Sequence, residues 1–570
     1  MQQSLINLAL NVMIRTFTKP SNSRLFLFSI IFLVTSLHKV YSQTLVKDLY
    51  IGKYGSNPGY IGEVNNGFIF YASSVEAGDE LWFSDGTNSG TKLVKDINPG
   101  PSGSRFNTFF VKIKSNWFFV AKLAGLQWSL WKSDGTALGT IKLLDLGSIP
   151  ISGFSQILMA SNGDDLFFTF DDPFDGKELW KSDGTTSGTK RVKDINVNAG
   201  SDPSGFTSFN NKMYFFADDG THGRELWNSD GTDTGTKMVK DIYPGGVGSI
   251  TNSFPSLIVF KNKLYFGAQG NHDEGIELYV TDGTNKGTTL FLDINSGIGA
   301  SSNPALLLAT GSKLFFRADD GINGAEPWIS DGTITGTKLL KDIYSGPDGS
   351  LAATASEIGN NIIFNAQSVD NGNEPYITDG TSSGTKILKV INKGKLSSYT
   401  SAKVNIGNKW YFSATDSVTG AELWETDGTE AGTKIQKDFN PGTAGSNISG
   451  LFAYKSELYF SAIINKDSLG SELYKYKPSA TGKVTKNMNE STFSVYPNPI
   501  NIGQSLNIRS TLNELSTLSI ITMDGKNLIT KHYDVQSLNN TLPILLNPGI
   551  YILRLESNDI TTNFKLIVNN

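Results

Sequence analysis

Residues 80–97 read ELWFSDGTNSGTKLVKDI, and this pattern returns along most of the chain. Copies of the core ELWxSDGTxxGTxxVKDI begin at Glu80, Ser129, Glu178, Glu225, Glu277, Glu326, Glu374 and Glu422. The aspartate of each DGT triplet stands at Asp85, Asp134, Asp183, Asp230, Asp282, Asp331, Asp379 and Asp427, at steps of 49, 49, 47, 52, 49, 48 and 48 residues. A period of this length marks a repeat architecture. Each unit is one supersecondary element that cannot bury its own apolar face and must stack on its neighbours.

One unit shows what that element is. After Ser253 come FPSLIVF, the polar pair Lys261-Asn262, KLYFGAQ, a polar loop, IELYVTD, the turn DGTNKGT and TLFLDI. Short apolar and aromatic runs bounded by Gly, Asn and Asp are strand and turn signals, so the unit spells four strands. No segment sustains a helical period. In DGTxxGT the aspartate can accept hydrogen bonds from peptide groups just downstream, the glycine supplies a positive φ, and the threonine adds a hydroxyl-to-backbone bond. The aromatic of ELW is equally regular: Trp82, Trp131, Trp180, Trp227, Tyr279, Trp328, Tyr376, Trp424 and, in a last partial copy, Tyr474. One large ring at a fixed place in every unit fits stacking between neighbours.

The two ends of the array complement each other. TLVKDL, Thr44 to Leu49, matches the last strand of a unit with no others before it. After the eighth motif, ISGLFAYKSELYFSAI and SELYKYK (ending at Lys477) supply three strands without the turn or the fourth strand. A closed ring accounts for both. The expected fold is therefore all-β: a repeat β-propeller of about nine four-stranded blades over residues 44–477, closed by the N-terminal strand. Nine exceeds the usual range of about 4–8 blades, but an open solenoid would need capping units at both ends, and none is recognisable.

Leu25 to Leu37, LFLFSIIFLVTSL, is an uncharged apolar run preceded by Arg15, Lys19 and Arg24. A basic flank before a short apolar core reads as a signal peptide, residues 1–43, with cleavage near Ser42 or Gln43. The run falls short of the roughly 20 residues of a spanning helix, so no transmembrane helix is expected after signal removal. At the other end, 478–492 is a polar linker. Residues 493–570 carry FSVYPNPI, several short strands, a turn at Asp524-Gly525, GIYILRLE and FKLIV, as in a small Ig-like β-sandwich. In GIYILRLE, Tyr551, Leu553 and Leu555 share one face.

These motifs resemble two known families. The repeat looks like the ELWxxDGT repeat of secreted bacterial proteins, sometimes described as hyalin-like, over residues 44–477. The seventh copy departs from it, with Val390 in place of the Asp of VKDI and Pro375-Tyr376 in place of Leu-Trp. Residues 493–570 are similar to the type A C-terminal sorting domain of the type IX secretion system, through YPNP, the Asp-Gly turn, NPGIYIL and the closing FKLIV. That resemblance implies passage through the periplasm and across the outer membrane, with the type IX machinery as partner and a secreted or outer-surface destination.

Chemistry is sparse. The net charge of −5 offers no basic field for nucleic acid. With no Cys and four scattered His, thiolate metal sites and Cys nucleophiles are excluded. Gly380 to Gly384 fits GxSxG, but it lies in the DGTxxGT turn, where sibling copies carry Asn88 or Asp233 in place of Ser382. The Lys of VKDI, as in Lys95 and Lys240, reads as a strand-edge charge. Acidic loops at Asp171-Asp172, Asp218-Asp219 and Asp319-Asp320 suggest calcium as an optional ligand, though without EF-hand spacing. No catalytic, cofactor-binding or metal residue is assigned. The expectation is an exported binding or adhesion scaffold that is not an enzyme, with glycans or surface proteins as partners. The alternative is a secreted polysaccharide- or peptide-degrading enzyme with its site in the propeller funnel.

Overall fold

The computed structural model describes residues 43–478, apart from breaks at 107–108, 124–126, 149–156, 173–174, 251–255, 402 and 465–468, together with the strands and some connections of 493–569. The signal peptide, most of the linker, Pro497–Pro499 of YPNP and the Asp524-Gly525 turn lie outside the described residues. Among those described there is no helix, and the strands of 44–476 form nine four-stranded antiparallel sheets.

In the first complete blade Gly59–Val64, Gly67–Ser74, Gly78–Ser84 and Lys92–Lys95 pair in sequence order. The ninth blade is shared between the chain ends. Ser449–Tyr454, Glu457–Ala462 and Glu472–Tyr476 are completed by Thr44–Lys47, with Thr44 opposite Lys475 and Leu45 opposite Tyr474. The first strands of the first and ninth blades meet, so the ring is shut. Tyr60 stacks on Phe452 across this seam at 3.7 Å between ring centroids.

The ELW tripeptide works because neighbouring strand residues point to opposite faces. Leu226 of the fourth blade and Tyr279 of the fifth share one buried cluster, as do Leu81 with Trp131, Leu179 with Trp227, and Leu278 with Trp328. Each leucine thus meets the next blade and each ring the previous one. Leu473 with Trp82 makes the same pair across the seam. The rings are buried, save Trp180, which is half-buried.

The DGT turn has the expected bracing in all eight copies. Asp85 Oδ1 accepts from the Thr87 peptide N–H at 2.9 Å and the Thr87 hydroxyl at 2.7 Å, and that hydroxyl accepts from the Gly90 N–H at 2.9 Å. Gly86 has φ +91°, and a Cβ there would lie 2.2 Å from the Tyr459 hydroxyl of the preceding blade. The glycine is required by conformation and by close packing together.

The VKDI lysine differs from the expectation of a free edge charge. Lys47, Lys95, Lys240 and Lys341 each place Nζ 2.7–2.8 Å from a threonine carbonyl that ends the next blade's DGTxxGT turn. An ammonium on a long stem finds a stationary acceptor there, so it clamps blade to blade. Lys437 faces the ninth blade, which has no such turn, and donates instead to the Gln43 side chain.

The sixth and seventh blades have fourth strands of two residues, Lys338–Leu339 and Lys386–Ile387. In both the Leu of ELW is proline, Pro327 and Pro375. Proline has no N–H to give the outer strand, so the ladder stops early.

In the C-terminal region, Phe493–Tyr496, Ser505–Ser510 and Asn540–Pro543 form one sheet. Ile500–Asn501, Ile560–Asn569, Gly549–Ser557, Ser516–Thr522 and Asn527–Tyr533 form another, in that order, with the first pair parallel. Leu518, Ile520, Ile521, Leu553, Leu566 and Val568 are buried apolar residues among those described.

Trp227→Ala should destabilise the ring by about 3–5 kcal/mol, the usual cost of removing a buried aromatic. Urea unfolding of the full chain reads this, and an unchanged midpoint would contradict the stacking role.

Candidate functional site

Four antiparallel strands send their connections alternately to the two ends of a blade. The links from second to third strand therefore share a face with the links between blades, while the DGT turns lie on the opposite face. The exposed apolar side chains divide unequally. Ile51, Tyr54, Val197, Val247, Ile298 and Tyr399 stand out from interblade links, and Val75, Ile322, Val369 and Val418 from the second-to-third links. The DGT turns contribute Leu138 and Ile334. The first face is also where loop sequences vary, and it is the candidate binding face.

Its interblade links are held from beneath by a residue that reading the sequence for chemistry missed, the Glu of ELW. Glu80 Oε2 accepts from the Ile97 N–H at 2.8 Å, and its Oε1 from the Asn98 N–H and the Ser104 hydroxyl, both at 3.0 Å. Glu225 holds Ile242, Tyr243 and Ser249 in the same way. Glu472 holds Leu49 and Ser56 across the seam. All eight such glutamates have no exposed surface. The second copy has Ser129, which donates to Asp145 at 2.8 Å. A periodic signal existed: a serine recurs 23–25 residues after the Glu, as at Ser104, Ser201, Ser249 and Ser302.

Burial outweighs these hydrogen bonds in setting the carboxyl protonation. Glu80 and Glu225 are pushed up to about 7 from 4.5, and Glu178, Glu277, Glu326, Glu374, Glu422 and Glu472 are raised for the same reason. The opposite holds in the exposed turns, where the threonine hydroxyl and then its N–H hold Asp85, Asp183, Asp230 and Asp282 below 3.8.

The acidic loops cap themselves. Asp219 Oδ1 accepts from the N–H groups of Thr221 and His222 at 2.9 and 2.8 Å, and Asp320 Oδ1 from those of Ile322 and Asn323 at the same distances. Among the described residues no group of three or more His, Cys, Asp or Glu side chains is arranged to hold a metal. The GxSxG stretch is an ordinary DGT turn, with Thr381 bonded to Asp379 and its hydroxyl 3.2 Å from that of Ser383. No helix among the described residues is long and apolar enough to cross a membrane.

Residues 494–569 match the family described as the secretion system C-terminal sorting domain. The chain is thus a secreted or outer-surface protein delivered by the type IX machinery, with a β-propeller as its main body. No curated protein matches it. Among solved structures it is similar to a puromycin-hydrolyzing peptidase of Mycobacterium tuberculosis, at 12% identity and TM-score 0.36, over 63% of this chain and 57% of that one. Prolyl endopeptidases are similar at 11% and 0.36, over 79% and 54%. The β-propeller domain of the Trilobed protease from Pyrococcus furiosus is similar at 12% and 0.32, over 59% and 99%. The chain spans little more than half the length of the first two.

These neighbours correct one expectation. The expectation of a non-enzyme does not stand, because hydrolases are among the similar structures. The physical reason is that repeat positions are selected for packing, so a lack of catalytic pattern in them does not bear on what the loops do. At TM-scores of 0.36 and below, the likeness carries no activity over to this chain.

The two sets of carboxyls predict a stability optimum in mild acid. The glutamates bind more protons folded than unfolded, so their contribution is full below 4.5 and is lost as pH rises towards about 7. The turn aspartates contribute above 3.8 and lose it as pH falls. The urea midpoint should peak near pH 4.5 and decline towards pH 7; a midpoint rising over that interval would refute the assignment. Glu225→Ala should cost about 3 kcal/mol, because buried donors lose their acceptor, measured in the same titration.

Proposed function

We propose that this protein is an exported binding or adhesion scaffold whose nine-bladed ring presents one variable face to glycans or surface proteins outside the cell. The observation that carries this reading is the gathering of variable, apolar-tipped loops on one face of a rigid frame. Rigid elements carrying exposed variable loops are the usual arrangement of a recognition surface. The resemblance to the secreted ELWxxDGT-repeat family agrees with it. In this reading residues 1–43 are a cleaved leader, 44–477 the ring, 478–492 a linker and 493–570 the sorting domain.

Two experiments test it. The full mature chain, applied to panels of polysaccharides and isolated surface proteins, should bind at least one ligand. Substituting Tyr54 and Tyr399 by Ser should weaken that binding without lowering the melting temperature. Ligand turnover into shorter products in the same panel would replace a scaffold by an enzyme. Deleting residues 494–569 should leave the protein in the periplasm, read by fractionation and blotting; unchanged appearance in the medium would remove the sorting step.

A further inference from the structure

After the held serine, most interblade links place one residue in the left-handed region. In four of them it is Asn57, Asp202, Asn303 or Asn447, the residue types that tolerate it. The sixth and seventh blades put Leu351 (φ +53°) and Tyr399 (φ +46°) there instead. Both are exposed, Tyr399 by 76%. A bulky side chain held in a strained conformation and pointed at water is not explained by packing, and such strain collects at functional sites.

Two cations converge on the same place. Arg317, from the sixth blade, donates to the Ala352 carbonyl at 3.5 Å, and Lys403, from the eighth, donates to the Thr354 carbonyl at 3.0 Å. These carbonyls are two residues apart at the entry of the seventh blade. Ala353, between them, pairs with Asn365, whose side chain bonds both the hydroxyl and the carbonyl of Thr400, next to Tyr399. Thr354 itself has φ +51°. Among the described residues no carboxylate lies within ion-pair distance of Arg317 or Lys403. Elsewhere on the ring, at other repeat positions of the third and fourth blades, two cations do meet an acid: Lys177 lies 3.6 Å from the Asp202 carboxylate, and Arg224 donates to the Asp202 carbonyl at 2.5 Å. Burial alone lowers the Lys403 ammonium, to about 8, and lowers Arg317 with no opposing acid. Both side chains remain partly exposed.

We propose that Arg317, Lys403 and Tyr399 form a binding subsite for an acidic glycan, with the two cations taking a uronate carboxylate and the tyrosine ring lying against the sugar. This rests on the binding-scaffold reading and names its ligand class. The ligand carboxylate supplies the counter-charge that the chain withholds here. A ring on a fixed backbone gives a flat apolar platform at little entropic cost.

The test is calorimetric titration of the full mature chain with an oligogalacturonate, its methyl ester, poly-glutamate and inorganic sulfate. The oligogalacturonate should bind, with the methyl ester and poly-glutamate weaker by about tenfold or more, a difference of about 1.4 kcal/mol. Lys403→Met and Arg317→Gln should each lose about tenfold, while Lys403→Arg keeps most of the affinity. Tyr399→Asn restores the residue type of the sibling links, so it should bind less tightly yet melt at a higher temperature, which a merely structural tyrosine would not do. Poly-glutamate binding as tightly as the oligogalacturonate would assign the site to acidic peptides. Binding of sulfate alone would reduce it to an anion hole. Unchanged affinity in Lys403→Met and Tyr399→Asn would overturn the subsite while leaving a scaffold that binds elsewhere. Binding of neutral glycans but not the uronate would do the same.

Discussion

Eight of the nine blades hold the link that leaves them with one buried glutamate. A glutamate with no exposed surface accepts the peptide N–H groups of the segment that leaves its own blade, together with a serine hydroxyl further on. The link must turn sharply from the outermost strand of one blade to the innermost strand of the next. In doing so it exposes peptide groups that no sheet can satisfy. Burying them without an acceptor would cost about 1–3 kcal/mol apiece, so the glutamate fixes the path of the link and, with it, the angle between blades. The same residue explains why the ring can shut with a split blade: Glu472 near the end of the ring accepts from Leu49 and Ser56 near its beginning, as if the chain were continuous there.

Around that anchor the remaining motif residues divide the work. Leucine and the aromatic ring fill the two interfaces of one strand, the lysine reaches forward to the next turn, and the turn glycine lets the previous blade approach. These contacts all run between neighbours, which makes the array quasi-one-dimensional until closure joins its ends. Closure removes exposed edges from the innermost and outermost positions where chain ends would otherwise leave a partial sheet. Gln43 shows how finely the seam is matched, since it gives Lys437 an acceptor in the one place where the turn that should supply it is missing.

Most of this was legible in the sequence because repetition turns packing into a pattern. The blade number, the strand order and the Asp-Thr brace follow from spacing and turn chemistry, and the missing strand at one end matched the spare strand at the other. What stayed hidden was partner identity. Glu80 and Ser104 both recur, but nothing in a linear repeat says that residues 24 apart share a hydrogen bond. The lysine likewise repeats as a charge, and only its distance to a threonine carbonyl of the next blade distinguishes a clamp from an edge residue. Proline in place of leucine at Pro327 and Pro375 could have signalled a weakened strand, and the two-residue outer strands of the sixth and seventh blades are its effect.

A repeat protein conceals function in its consensus and discloses it in departures. The consensus Glu, Leu, aromatic ring, Lys and turn residues are accounted for by contacts within a blade or with a neighbouring one, so a ligand is best sought where one blade differs from its siblings. The second copy departs at Ser129, but several departures gather on one arc: the two prolines, the loss of the VKDI aspartate at Val390, and the left-handed Leu351 and Tyr399 fall on the sixth and seventh blades and the links leaving them, next to Arg317 and Lys403. Shortened outer strands weaken this sector and strained backbone adds to the cost, while its neighbours keep the standard solution to the same geometric problem. On the binding-scaffold reading, stability given up at one sector, in side chains turned towards solvent on the face that carries the variable loops, is what selection for recognition would leave behind in a frame otherwise selected for packing.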